Sequence, residues 1–161
     1  MSIKFIHSAG SERPIAIPAI GLDLFVRLPS EASDGEMSII ETINAPGKGP
    51  PRHRHPQAEI FRVLEGRYLY ELDGRRFYAE EGDVVAIPGN VEHGFVNVSE
   101  KPARQYIIIT PALDAAAFFT GLAGVMHDGV PDRTALNAFG VEWEVDFLGP
   151  PLSLADLPTN A

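Results

Sequence analysis

The stretch 47-GKGPPRHRHPQAEIFRVLEG-66 decides how this chain is read. His53 and His55 stand one residue apart, and Glu59 follows four residues after His55. Their neighbours are Gly, Pro and β-forming residues, so the segment reads as extended chain. Side chains two apart on a strand point to the same face. His53 and His55 therefore project together, and Glu59 keeps that parity if the strand is not bulged at Pro56. Such an inward face makes a metal site once a neighbouring strand supplies a fourth ligand. His93 is the natural candidate, because it opens 93-HGFVNV-98 just after the turn 88-PGN-90. Taken alone, an HxH pair also fits a solvated strand edge or hydrogen-bonded barrel histidines, so the wider pattern has to decide.

Outward from this stretch, short β-type runs lie on both sides: 20-IGLDLFVRL-28, 37-MSIIETI-43, 58-AEIFRVLE-65, 67-RYLYEL-72, 76-RFYAE-80, 84-VVAIP-88, 93-HGFVNV-98 and 104-RQYIIIT-110. Asp73-Gly74 between two alternating runs predicts a hairpin. Many short strands at close spacing predict a sandwich or barrel. After Thr110 the pattern turns helical. Thr110 is the expected N-cap and Pro111 the first helical residue. Phe118, Phe119, Leu122, Val125 and Met126 follow at helical spacing, and Asp128-Gly129 ends the run. A second helix is expected from Pro131 to Phe139, stopped by Gly140. The apolar, Pro-rich tail 141-VEWEVDFLGPPLSLADL-157 is expected to pack down. Residues 1–161 thus read as one domain: an arm at 1–19, a β-structure at 20–110, and a helical appendix and tail at 111–161.

Composition narrows the function. At 161 residues, 45% of them hydrophobic, the chain can bury a core of its own. The 22 acids against 13 bases give −9, which argues against nucleic acid and anionic membranes as partners. There is no cysteine, so disulfides, thiolate metal sites and a cysteine nucleophile are excluded. A metal would have to be held by His, Asp or Glu. The opening stretch has no sustained apolar run, so a cytoplasmic location is expected.

The spacing also resembles a known family. Gly47, His53, His55, Glu59 and Gly66 resemble the first motif of the cupin superfamily without a gap, across 47–66. Gly82, Pro88, His93 and Asn97 resemble the second, across 82–97. Asn90 stands where the family usually has Gly, and Asn tolerates the left-handed backbone such a turn needs. The resemblance implies a mainly β, antiparallel jelly-roll (double-stranded β-helix) barrel with the metal inside, and His53, His55, Glu59 and His93 match the metal ligands. The tail ending in FLGPPL resembles that of single-domain, quercetin-dioxygenase-like cupins. The resemblance also implies a homodimer, with the arm or strand 20–28 packing on the partner.

Three imidazoles and a carboxylate suit one divalent transition ion, whether Fe, Mn, Ni, Co, Cu or Zn. Such a site keeps about one net positive charge by simple count and attracts an enolate, phenolate or carboxylate. Four protein ligands can leave two positions open for a bidentate small molecule or for a substrate oxygen beside dioxygen. Parity places Phe61 and Val63 with Glu59, and Phe95 and Asn97 with His93, as the expected pocket lining. The same apolar residues also fit plain barrel core. Tyr68, Tyr70 and Tyr106 are candidate donors, and Glu59 is a candidate base. His7 and His127 are expected away from the site, and Arg52 and Arg54 are expected to face away or guard the rim. The expected activity is a metal-dependent dioxygenase acting on a small enolic, phenolic or diketone-like substrate. The alternatives are a redox-neutral isomerase or lyase, and a non-enzymatic ligand binder.

Overall fold

A computed structural model describes residues 4–9 and 13–158. Its strands form two antiparallel sheets stacked as a jelly roll. The first has the order β1 (Ile15–Ile17), β2 (Leu22–Leu28), β3 (Ser38–Asn44), β10 (Ala103–Thr110), β5 (Ala58–Glu65), β8 (Val84–Ile87). The second has the order β11 (Asp146–Pro151), β4 (Pro51–Arg54), β9 (His93–Asn97), β6 (Arg67–Leu72), β7 (Arg75–Glu80). No helix among the described residues is long and apolar enough to cross a membrane.

Alternation builds the core. Every second residue of β3 and β10 is buried, so Ile40, Thr42, Gln105, Ile107 and Ile109 point between the sheets. Phe61 and Val63 of β5 extend that face, and Tyr68, Tyr70 and Phe95 of the second sheet face it; the four rings pack edge-to-face or tilted at 5.4–6.2 Å between centroids. Strand β9 is buried on both faces. On its outer side Leu69 and Val96 are covered by Leu152 and Leu157 of the tail. The hairpin at Asp73-Gly74 forms as expected: β6 pairs with β7 up to Leu72 opposite Arg75, and both turn residues have positive φ. Asn90 is also left-handed, at φ 64°.

The regions outside the two motifs differ from expectation. The arm is not wholly outside the sheet, since β1 pairs with β2. The first helix, α1 (Ala115–Val125), is capped by Asp114, whose side chain accepts from the Ala117 amide, and not by Thr110. A carboxylate four residues further on competes better for the exposed N–H groups. The second helix, α2 (Arg133–Trp143), runs through Gly140 to a left-handed Glu144. Gly140 is a contact and not a stop: a Cβ there would lie 2.2 Å from the Val145 carbonyl oxygen. The tail does more than pack down. Its β11 pairs with β4, the strand that carries His53.

Candidate metal centre

The four candidate ligands come together, but not along one continuous strand. His53 lies in β4 of the second sheet, and Glu59 lies in β5 of the first. The chain changes sheets through His55, Pro56 and Gln57, so the parity expected between His55 and Glu59 does not apply. Their convergence comes from the corner between the sheets. His93, at the start of β9, is the register partner of His53. One donor atom from each of the four side chains can be chosen such that all lie within 4.8 Å of one another. The His93 Nε2 is 3.0 Å from Glu59 Oε2, and the His55 Nε2 is 3.5 Å from it. The His53 ring centre lies 4.3 Å from that of His93 and 5.5 Å from that of His55.

Backbone carbonyls orient every ring. Nδ1 of His53 lies 2.7 Å from the Pro51 oxygen, that of His55 lies 3.1 Å from the Gln57 oxygen, and that of His93 lies 2.8 Å from the Val91 oxygen. A neutral ring that donates its Nδ1 proton to a carbonyl presents the Nε2 lone pair inward. The turn at 88–90 holds the corner in place. The Asn90 amide donates to the His55 carbonyl at 2.7 Å. Gly89 sits so close that an added Cβ would meet the Pro56 oxygen at 2.1 Å. Gly89→Ala is therefore expected to push the two loops apart, lowering both the melting temperature and metal affinity. Calorimetry with and without metal checks this, and an unchanged affinity would count against the role of the turn.

The electrostatics favour a bound cation. Burial, together with the neighbouring His93 and His55, pushes His53 down to about 3, so it stays neutral across the working range. Burial also acts against charge on His55, but the hydrogen bond and negative charge of Glu59 outweigh it and leave His55 raised. For Glu59, burial works against the carboxylate, yet hydrogen bonds from His55 and His93 outweigh it and hold the group ionised. A carboxylate grouped with three imidazoles suits a divalent first-row ion, and the cluster can hold one. Protons compete with the metal for these lone pairs. Because the proton affinity of His55 is raised, metal binding should weaken as pH falls. A Co²⁺ or Zn²⁺ titration is expected to show at least about tenfold weaker binding at pH 6 than at pH 8. Equal affinities would show that the imidazoles are not the donors.

A cavity of about 850 Å³, open solvent at its mouth included, adjoins the cluster. His53, His55 and Glu59 line it, with Phe61 and Phe95 on its wall as expected. Val63 and Asn97, also expected there, lie elsewhere. Val63 is packed in the core, and Asn97 donates to the carbonyls of Asn44 and Lys101. Tyr68 and Tyr70 are sealed in the barrel, and burial raises both well above the usual phenol range. Arg52 pairs with Glu71 and Arg54 with Asp146, both away from the cavity. His127 is exposed and pairs with Asp128, and His7 is exposed. Residues not foreseen in the cavity lining include Thr42 and Asn44 of β3, Phe118, Phe119 and Leu122 of α1, and Phe147 of the tail. The helical spacing of the phenylalanines marked a buried face, but nothing local said what it would cover.

Residues 41–109 match the family model described as the cupin domain. The polyketide synthase CurC of Streptomyces cyaneus is 35% identical over 81 residues, 50% of this chain and 51% of that protein. The chain spans about half the length of the curated relatives it matches. Among solved structures, an RmlC-like cupin from Shewanella frigidimarina superposes with a TM-score of 0.57 at 21% identity, over 70% of this chain and 96% of that one. The polyketide cyclase RemF from Streptomyces resistomycificus does so with 0.52 at 20% identity, over 68% and 80%. At these identities the superpositions speak to fold alone. Two stacked antiparallel sheets, a matching family model and a His-His-Glu-His cluster at the corner between them mark residues 41–109 of this chain as a cupin domain.

Proposed function

We propose that this chain is a metal-dependent dioxygenase for an enolisable or phenolic compound, such as a β-diketone or a polyketide-like molecule. The observation that supports it is the lining of the cavity: apart from His53, His55 and Glu59, no titratable side chain among the described residues lines it. A reaction in that space has little means of moving protons beyond one initial deprotonation. Addition of dioxygen to an enolate needs no more than that. A divalent ion at the cluster supplies positive charge for the enolate oxygens and, where it is redox-active, a route for electrons to dioxygen. Glu59, held as a carboxylate, would be the base that takes the enol proton. Phe61, Phe95, Phe118 and Phe147 exclude water and hold a flat substrate.

A redox-neutral reaction, such as an aldol-type cyclisation, is the second reading. The name polyketide synthase carried by CurC supports a polyketide-like substrate for it. Oxygen uptake separates the two. Protein loaded with iron, manganese, nickel or copper is given dibenzoylmethane or a flavonol in an oxygen electrode. Uptake of about one dioxygen per substrate consumed is expected for a dioxygenase. Conversion that proceeds equally without oxygen would sink the oxygenase reading and leave the redox-neutral one. We further propose a homodimer, supported by the exposed Ile60, Leu64 and Val84 on the outer face of the first sheet and by exposed Phe5 in the arm. A monomer by light scattering at micromolar concentration would count against it.

A further inference from the structure

The cavity does not end in its apolar wall. Its far end is lined by Thr42 and Asn44, the last inward side chains of β3, 3% and 1% exposed. Strand register gives the depth. Glu59 sits opposite Ile109, and Ile109 sits opposite Ser38. Thr42 lies four residues beyond Ser38, about 13 Å further at the rise of a strand. Ile40, Phe61, Phe95 and Ile107 form the walls between.

The floor is rich in hydrogen-bond donors and short of acceptors. Asn44 Oδ1 accepts from the Tyr68 hydroxyl at 2.8 Å and from Thr42 Oγ1 at 3.4 Å. The Asn44 side-chain nitrogen makes no hydrogen bond among the described residues, and Asn44 faces the cavity. Gln105 is the register partner of Thr42 and is fully buried. Its Oε1 accepts from the Tyr70 hydroxyl, while its Nε2 finds no partner among the described residues. Gln105 lies behind the floor and does not line the cavity, whereas the Asn44 amide does, and an unmatched amide N–H in an apolar interior is costly unless something accepts from it.

We propose that this floor is a second recognition point, for a carbonyl or hydroxyl oxygen at the far end of the substrate. The inference rests on the reading of the cluster as an enolate site, and it narrows the substrate class. The preferred molecule is elongated and mostly aromatic or apolar. It carries a chelating pair of oxygens at one end and a lone oxygen function roughly 10 Å away, set by the strand spacing between cluster and floor. Thr42 and Asn44 are the specificity-determining residues.

The test compares two ligands, a biphenyl-substituted butane β-diketone and the same molecule with a hydroxyl at the far para position. Trp143 is the chain's single tryptophan and lies 5.4 Å from Phe118 on the cavity wall, so its fluorescence reports binding. Metal-loaded wild-type protein is expected to bind the hydroxylated ligand about tenfold tighter, the scale of one buried polar contact left unmade. Asn44→Ala should bring the ratio near one, and Thr42→Val should lower it severalfold. Thr42→Ser, which keeps the hydroxyl, should retain it. If Asn44→Ala fails to fold, the valine and serine variants carry the test. His53→Ala should weaken both ligands alike and leave the ratio intact. Equal wild-type affinities, as expected of a floor filled only by water, would overturn the inference and leave the enolate reading standing. So would a preference that survives the folded Thr42→Val and Asn44→Ala variants. Failure of both ligands to bind the metal-loaded protein would overturn both.

Discussion

His93→Ala is expected to abolish metal retention while leaving a folded, β-rich protein. His93 is 2% exposed, opens β9 opposite His53, and brings Nε2 to 3.0 Å from Glu59. Removing it takes away one of four donors and leaves the buried Glu59 carboxylate with His55 as its remaining imidazole partner. Loss of an orienting group behind a ligand commonly weakens a metal about 10- to 100-fold, so loss of the ligand itself should exceed about 100-fold. The sheets should survive, because the aromatic layer of Phe61, Tyr70 and Phe95 packs independently of the cluster. Metal content after gel filtration, read beside circular dichroism, checks both halves. His53→Ala should behave alike. His7→Ala and His127→Ala should match wild type, since both side chains are exposed. Full metal content in folded His93→Ala would remove the basis for the chemistry proposed above.

Phe147→Ala is expected to destabilise the protein by about 3–5 kcal/mol, the usual cost of emptying a buried phenylalanine site. Phe147 is 7% exposed, and it is the register partner of His53 on the side away from His93. Its ring lies 6.5 Å from the His53 imidazole and packs where Gly140 leaves room. The substitution therefore acts twice. It opens the wall of the cavity, and it loosens the strand that braces β4. The melting temperature should fall by roughly 10 °C for a chain of this size, and metal affinity should fall with it. Phe147→Leu, which keeps most of the volume, should recover most of the stability. An unchanged melting curve for Phe147→Ala would show that β11 does not brace the site.

How far the site could be read in advance depended on how local each feature was. The residues of both motifs are close in the chain, and turn chemistry sets their spacing. Asp73-Gly74 and Asn90 adopt the left-handed backbone that their residue types favour. Most strand boundaries followed from alternation and breakers. The route of convergence did not. His53 and Glu59 belong to different sheets, and the corner at 55–57 that joins them depends on how closely Gly89 approaches Pro56. Asn97 has the right parity for the pocket, but three backbone groups claim its amide: the carbonyls of Asn44 and Lys101 and the N–H of Ser99. Gly140 looked like a helix stop because helix-ending glycines and glycines of close approach are identical in sequence.

By itself the sequence determined the β-rich character, the hairpin, the exclusion of thiol chemistry, and the four side chains that can hold an ion. These depend on residue type and short-range spacing, which local sterics translate directly into backbone geometry. Only the tertiary structure decided what surrounds them. It brought α1 and β11, distant in the chain, against the cavity, and it sank Thr42 and Asn44 into its floor with Gln105 buried beside Thr42. Those contacts depend on which apolar faces find each other when the sheets stack. Burial is non-directional and has no signature in the local order of residues.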